Sequence, residues 1–187
     1  MPRRALVLID LQNDYFPDGK WPLVDIEAAG ARAARILAAA RAAGDLVVHV
    51  RHEQTGPDAP FFVAGSAGAQ THPMVRAEPG EAVIVKNEVN AFKATGLKDV
   101  LDGADITRIT LVGAMSHMCV DAAARAASDL GYTVTVVHDA CATHDLEHAG
   151  TKVPADQVHA AFMAALGFAY AELVSADEYL AASTAAD

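Results

Sequence analysis

The sequence predicts an α/β protein with a parallel sheet covered by helices. Short runs rich in Val, Ile and Leu alternate with longer Ala-rich stretches, which is the pattern of buried parallel strands and their crossover helices. Gly44 and Gly131 each stand between a helical stretch and the next strand, where a left-handed residue commonly ends a helix. With 187 residues, 52% of them hydrophobic, and no linker, we expect a single domain over residues 1–187.

The predicted elements follow one another as strand, helix, strand. Strands are predicted over 5–9, 46–51, Ala82–Lys86, 108–113 and 133–138, with a weaker one at 169–174. Helices are predicted over Ile26–Ala43, 96–102, 117–130 and 155–166. Between residues 53 and 79 the pattern gives way to Gly, Pro, Ala and Ser around two phenylalanines. This segment is too long for an ordinary connection, so we expect a lid, a subunit contact or disorder.

Charge and composition exclude several classes of partner. The formal net charge of -10 repels phosphate backbones and anionic lipid heads, and Lys and Arg form no dense cluster. We therefore expect neither nucleic acid nor membrane partners. The apolar stretch at 5–9 is too short for a signal peptide, and two cysteines make no disulfide framework. These features predict a cytoplasmic protein with free thiols.

Three reactive residues fall on one predicted edge of the sheet. Asp10 closes the first strand, Lys86 closes the third, and Cys119 lies in the first turn after the fourth. Binding groups gather at the carboxyl edge of such sheets. A helix start stabilises a thiolate, a buried carboxylate suits a proton acceptor, and a buried ammonium needs a counter-charge. Each residue alone could also be structural: a small core cysteine, a turn-forming aspartate, a lysine reaching solvent.

Three motifs resemble the isochorismatase-like cysteine hydrolases, a family that includes nicotinamidase, N-carbamoylsarcosine amidohydrolase and streptothricin hydrolase. They are LIDLQNDYF at 8–16, KNEVNAF at 86–92 and GAMSHMCVDAAARAASDLGY at 113–132. The motifs stand in the family's order, and the resemblance extends from about residue 6 to residue 174.

The resemblance implies a three-layer α/β/α fold with a six-stranded parallel sheet and a catalytic triad of Asp10, Lys86 and Cys119. It also implies a cis peptide bond between Ala114 and Met115, and an oxyanion hole formed by the backbone N–H groups of Met115 and Cys119. The implied reaction is cleavage of an amide-type C–N bond in a small amide or ureide through a Cys119 thioester, without a cofactor. A homo-oligomer, dimer or tetramer, is also implied.

The chain departs from nicotinamidases after the second strand. Those enzymes bind a metal there through Asp-x-His-x-x-His, whereas His52 and Glu53 in HVRHEQ do not reproduce that spacing. We therefore expect no metal. His144 and His148 lie four residues apart and could share a helix face as a metal pair, but no third ligand is evident and a solvated pair is favoured.

Several residues are candidates for contact with the substrate: Phe16, Trp21, His52, Phe61, Phe62 and Ser116. The four aromatic rings could instead pack in the core or between subunits, His52 could be a polar loop residue, and Ser116 fits a small hydroxyl position of the family. Cys141 is read as structural. Two alternatives to an amidohydrolase stay open: a vinyl-ether hydrolase on the same scaffold, and a binding protein that no longer turns over substrate.

Overall fold

The computed structural model describes residues 3–56 and 58–184, so Met1, Pro2, Pro57 and residues 185–187 of the expected domain lie outside the described part. The six-stranded parallel sheet is confirmed, in the spatial order β3-β2-β1-β4-β5-β8. Its strands are β1 (Arg3–Ile9), β2 (Leu46–His52), β3 (Ala82–Lys86), β4 (Ile106–Ala114), β5 (Thr133–Ala142) and β8 (Glu172–Val174). The strands β6 (Leu146–His148) and β7 (Thr151–Val153) form a separate antiparallel pair. The helices are α1 (Ile26–Ala43), α2 (Leu97–Gly103), α3 (Asp121–Asp129), α4 (Ala155–Ala169) and α5 (Ala176–Thr184).

Helices cover both faces of the sheet, and the sheet separates two hydrophobic cores. Strand β1 shows why, since Leu6 and Leu8 join the core that packs with α1, while Val7 and Ile9 join the core that packs with α2, α3 and α4. A strand buried on both faces must be apolar at nearly every position. The unbroken run ALVLI is therefore the sequence of a central parallel strand.

The strand order reverses between β1 and β4, and this is where the reactive residues converge. Ile9 pairs with Gly113, so β1 and β4 end at the same level. In a doubly wound sheet the crevice at such a switch point is the usual ligand site. Asp10 directly follows β1, and Cys119 lies in the π-helical turn Ser116–Val120 that joins β4 to α3. The turn replaces the start of the helix predicted over residues 117–130.

The structure contains a hairpin and a helix that the sequence did not predict. His148 lies in β6 of the hairpin, so His144 and His148 do not share a helix face, the less favoured of the two alternatives for this pair. The turn residues Ala149 and Gly150 have φ of 50° and 80°, as a tight two-residue hairpin turn requires. Helix α5 is the other unpredicted element.

The long segment after β2 is fastened to the chain that follows β1. Gln12 donates from its side chain to the carbonyls of His52 and Ala69, and the backbone N–H groups of Asn13 and Asp14 donate to the carbonyls of Gln70 and Gly68. These bonds hold the described part of the segment against the carboxyl edge of the sheet. No helix in the part of the chain that the structure describes is both long and apolar enough to cross a bilayer.

Candidate active site

Lys86 lies at the centre of a buried cluster beside the switch point. Its Nζ is 2.9 Å from Asp10 Oδ2 and 3.2 Å from Cys119 Sγ. The same nitrogen donates to the carbonyl oxygen of Glu88 at 3.0 Å. The side chains of Asp10 and Lys86 are both 0% exposed. The three residues that the motifs singled out are therefore in contact, with the amine between the carboxylate and the sulfur.

The backbone places Asp10 and Cys119 on either side of this amine. Asp10 has a left-handed φ of 50°, and its N–H bonds to the carbonyl of Val50 on the neighbouring strand. One of its carboxylate oxygens lies within 4.8 Å of Cys119 Sγ. This separation lets a small movement of the thiol bring its proton to the carboxylate.

Burial and charge fix the resting state of the thiol. Burial raises the pKa of Cys119, the Asp10 carboxylate raises it further, and the Lys86 ammonium lowers it by less. The helix-start argument predicted a stabilised thiolate, and here desolvation outweighs that effect. Cys119 is therefore a thiol at neutral pH, and it needs a base before it can attack.

The same cluster keeps Lys86 charged. Burial alone lowers the pKa of an ammonium, but the neighbouring Asp10 carboxylate and the Cys119 sulfur outweigh burial, so the pKa of Lys86 is raised. The resting cluster consequently holds a positive amine next to a neutral thiol. That amine is already in place when negative charge develops on the sulfur.

His52 belongs to this cluster, beyond what the sequence indicated. Its Nδ1 lies 3.1 Å from Lys86 Nζ, and burial followed by the nearby Lys86 charge lowers its pKa. The imidazole is therefore neutral and accepts a hydrogen bond from the ammonium. Ligand-type atoms of Asp10, His52 and Cys119 all lie within 4.8 Å of one another. No spacing motif could reveal this, because the three residues come from different strand ends.

The segment between β4 and α3 shapes the other side of the cluster. The peptide bond between Ala114 and Met115 is cis. Ser116 is fully buried, and its hydroxyl contacts His159 Nδ1 at 2.8 Å and the carbonyl of Ala142 at 3.3 Å. These bonds direct Ser116 toward α4 and β5, so its hydroxyl has a structural role here.

Aromatic rings pack beside the cluster. Tyr15, which was not among the predicted substrate contacts, is buried. This burial raises its pKa, as do the neighbouring Asp10 carboxylate and Cys119 sulfur. Its ring centroid is 4.5 Å from that of Phe62 and 5.7 Å from that of Phe61. Phe61 in turn lies 5.1 Å from Trp21, which is 38% exposed. The rings lead from the triad to the surface.

Phe16 does not belong to this group of rings, because its side chain packs against His72 and α1. It stacks on His72 at a centroid distance of 3.6 Å, and a Cβ at Gly30 of α1 would lie 3.3 Å from its ring. Unlike its neighbour Tyr15, it therefore supports the contact between the long segment and α1.

Two histidines continue the aromatic rim past Trp21. His144 makes an edge contact with Trp21 at 5.8 Å and with His117 at 5.4 Å. His117 stands two residues before Cys119 and contacts the Thr143 hydroxyl at 2.6 Å. Burial, and then the neighbouring His144, lower the pKa of His117. The contact between His144 and His117 was not predicted, because the two residues are far apart in the sequence.

A cavity of about 270 Å³ is lined mainly by residues of α1, β5 and α4 and by none of the three triad residues. Arg32, Asp139 and His159 contribute to its lining, as does Cys141. Cys141 is buried and its thiol bonds to the carbonyl of Val137. Burial raises the pKa of Cys141 to about 12, which agrees with a structural thiol.

Comparison with known proteins shows which family the chain belongs to. The Isochorismatase domain model matches residues 4–174, almost the whole described chain. The chain belongs to the isochorismatase family. Its α/β fold and its hydrolase class follow from this membership.

Isochorismatase relatives cover the chain nearly end to end. An uncharacterized isochorismatase family protein of Bacillus subtilis, YddQ, is 43% identical over 94% of this chain and 98% of its own. A crystal structure of an isochorismatase hydrolase from Oleispira antarctica superimposes with a TM-score of 0.93 at 58% identity, covering 96% of both chains. Streptothricin hydrolase of Streptomyces noursei is 37% identical over 76% of this chain and 51% of that enzyme.

Proposed function

We propose that this isochorismatase-family hydrolase cleaves an amide-type C–N bond of a small molecule through a thioester on Cys119. The observation that carries the proposal is the contact of Lys86 Nζ with both Asp10 Oδ2, at 2.9 Å, and Cys119 Sγ, at 3.2 Å. A nucleophile, a proton acceptor and a fixed positive charge are the parts that nucleophilic acyl transfer needs.

The raised pKa of Cys119 assigns the first step to Asp10. The carboxylate accepts the thiol proton as the sulfur attacks the substrate carbonyl, and Lys86 stabilises the charge on whichever of the two is negative. The exchange leaves the net charge of the buried cluster unchanged. This avoids the cost of an isolated thiolate among buried side chains.

Backbone N–H groups would stabilise the oxyanion that forms next. We assign them to Met115, which directly precedes the turn Ser116–Val120, and to Cys119, which lies in that turn. Preorganised donors at such a position commonly contribute the largest single part of the rate enhancement. Asp10 then returns its proton to the leaving nitrogen, the C–N bond breaks, and a water molecule activated by Asp10 hydrolyses the thioester.

The aromatic rim favours a substrate with an apolar or planar portion next to its amide. Tyr15, Phe61, Phe62 and Trp21 pack in sequence from the triad outward. His117 and His144 add polar edges to the same rim. Pockets of this composition bind through apolar contact and orient the ligand through a few polar groups.

Amide chemistry is favoured over vinyl-ether cleavage by the presence of the nucleophile itself. Cys119 contacts the ammonium and lies within 4.8 Å of the carboxylate, a cluster that a reaction without a covalent intermediate does not need. A binding protein without turnover would also have no need for this cluster.

The test is a screen of small amides, ureides and lactams, with assays for ammonia or amine release and for pyruvate release. We expect nitrogen release from at least one compound, and a mass adduct on Cys119 in the trapped enzyme. Cys119→Ala should lower turnover by a factor on the order of 10⁴ or more. The matched variant Cys141→Ala, at the structural thiol, should keep it.

Two outcomes would contradict the proposal. Pyruvate release without nitrogen release would assign the vinyl-ether reaction. An active Cys119→Ala variant would remove the thioester from the mechanism. The melting temperature of each variant should be measured first, so that loss of activity is not loss of fold.

A further inference from the structure

The Lys86 ammonium stands where three atoms of metal-ligand type converge. Its Nζ lies 2.9 Å from Asp10 Oδ2, 3.1 Å from His52 Nδ1 and 3.2 Å from Cys119 Sγ. A carboxylate oxygen, an imidazole nitrogen and a sulfur are the donors that Zn²⁺ binds in proteins. The amine is thus surrounded as a metal ion would be.

The geometry is close to that of a four-coordinate zinc centre, with three side-chain ligands and the carbonyl oxygen of Glu88, 3.0 Å from Nζ, beside the fourth position. The ligand atoms of Asp10, His52 and Cys119 lie within 4.8 Å of one another. Bonds to Zn²⁺ are about 2.0 to 2.3 Å long, so each atom must move inward by roughly 1 Å from its distance to the ammonium. Asp10 and Cys119 are buried, and His52 is half-buried. Four ligands in a tetrahedral arrangement are typical of Zn²⁺ in proteins.

Charge explains why the amine and the ion would exclude each other. With Lys86 present, its positive charge balances the Asp10 carboxylate, and Cys119 keeps its proton. A Zn²⁺ ion balances a carboxylate and a thiolate together. Both arrangements are neutral, but an ammonium and a divalent ion cannot share the same three atoms without strong repulsion.

We propose that Lys86 is a built-in cation that keeps thiophilic divalent ions out of a three-ligand site, and that removing its ammonium converts this centre into a Zn²⁺ site. Coordination would replace the S–H bond of Cys119 with an S–Zn bond and release the proton to solvent, with no transfer of electrons. A metal there would occupy the nucleophile. Lys86 would therefore protect the sulfur as well as assist it.

The experiment compares the wild-type protein with Lys86→Ala in titrations with Zn²⁺ and with Co²⁺ as a spectroscopic probe. We expect Lys86→Ala to bind one ion per chain at least about 100-fold more tightly than the wild type, because the competing charge is gone. Bound Co²⁺ should show a thiolate-to-cobalt charge-transfer band. The titration needs no substrate, so its failure would leave the proposed hydrolase activity untouched.

Matched variants identify the ligands. In the Lys86→Ala background, Cys119→Ser and His52→Ala should each abolish tight binding, while Cys141→Ser should leave it unchanged. Binding that survives Cys119→Ser would overturn the proposal, as would equal affinities of the wild type and Lys86→Ala for Zn²⁺.

If Lys86→Ala is unfolded without metal, Zn²⁺ should restore its far-ultraviolet circular dichroism, because the free energy of metal binding then drives folding. A variant that neither binds nor gains structure with Zn²⁺ also overturns it.

Discussion

At the scale of single residues, Lys86 has more acceptors than it can bond at once. Its nitrogen contacts Asp10 Oδ2, Cys119 Sγ, His52 Nδ1 and the carbonyl of Glu88, whereas an ammonium carries three N–H bonds. At any moment, one of the four contacts is therefore an electrostatic contact without a full hydrogen bond of its own. As a proton moves from sulfur to carboxylate, the ammonium can strengthen its bond to the sulfur without changing position.

The ion pair between Lys86 and Asp10 makes a residue-scale prediction about stability. Lys86→Met removes the ammonium that contacts a carboxylate with a 0% exposed side chain and should lower the free energy of unfolding by about 3 to 5 kcal/mol. The double variant Asp10→Asn/Lys86→Met removes both charges and should recover most of that loss. Denaturant unfolding measures both. A double variant no more stable than Lys86→Met would show that the pair is not the source of the loss.

At the scale of elements, the close approach of β1 and β4 depends on Gly113. This residue has φ of 127°, and a Cβ there would lie 2.0 Å from the carbonyl oxygen of Ile9. Neither the dihedral angle nor the space permits a side chain. Because Asp10 follows Ile9 and the Cys119 turn follows β4, the same contact sets the spacing of the active site.

Gly113→Ala should therefore both destabilise the protein and inactivate it. We expect a loss of roughly 3 kcal/mol or more, from positive-φ strain and a displaced strand pair, measured by denaturant unfolding with activity assayed alongside. Gly103→Ala at the end of α2 is the control, because a Cβ there meets nothing within 4 Å. Its effect should stay within about 1 kcal/mol. Equal stabilities for the two variants would contradict the account of β1 and β4.

The sequence predicts the central elements well because they are buried on both faces or strongly periodic. The run at β1 and the Ala-rich α1 leave little choice of structure. The hairpin β6–β7 was missed because three-residue strands carry almost no periodic signal. Helix α5 did carry a signal: Ser175 and Glu178 form reciprocal hydrogen bonds at its start, the S-x-x-E capping pattern.

In the active site, the positions that follow from strand topology could be predicted, and the contacts that depend on side-chain direction could not. Asp10, Lys86 and Cys119 each close or follow a strand, so topology alone brings them to one edge. His52 also ends a strand, but its contact with Lys86 depends on side-chain direction, which no motif encodes. The aromatic rim depends on how residues 53–79 fold back, and long-range hydrogen bonds such as that from Phe62 N–H to Asp14 set that path.

At the scale of the whole molecule, a partly buried charge network joins α1 to β2 and to the residue before β3. Glu81, just before β3, accepts from Arg41 of α1 at 2.7 and 2.8 Å and contacts His49 of β2 at 3.0 Å. His49 is 1% exposed, and its burial lowers its pKa. Glu81 thus neutralises the Arg41 charge and provides the buried imidazole with a partner.

This network predicts how the stability of the whole fold changes with acid. The hydrogen bond from Arg41 holds the pKa of Glu81 at about 2, below its ordinary 4.5. A depressed carboxyl pKa stabilises the folded state above pH 4.5, and this stabilisation is lost as the pH falls from 4.5 toward 2. Glu81→Gln should therefore lower the melting temperature most at neutral pH. In thermal unfolding, the difference from wild type should shrink as the pH falls from 4.5 toward 2.

Glu78→Gln is the control. Glu78 also contacts Arg41, but its side chain is 63% exposed, so the effect of this substitution on stability should stay below about 1 kcal/mol. A Glu81→Gln deficit that persists unchanged at pH 2 would place the stabilisation in packing rather than in charge.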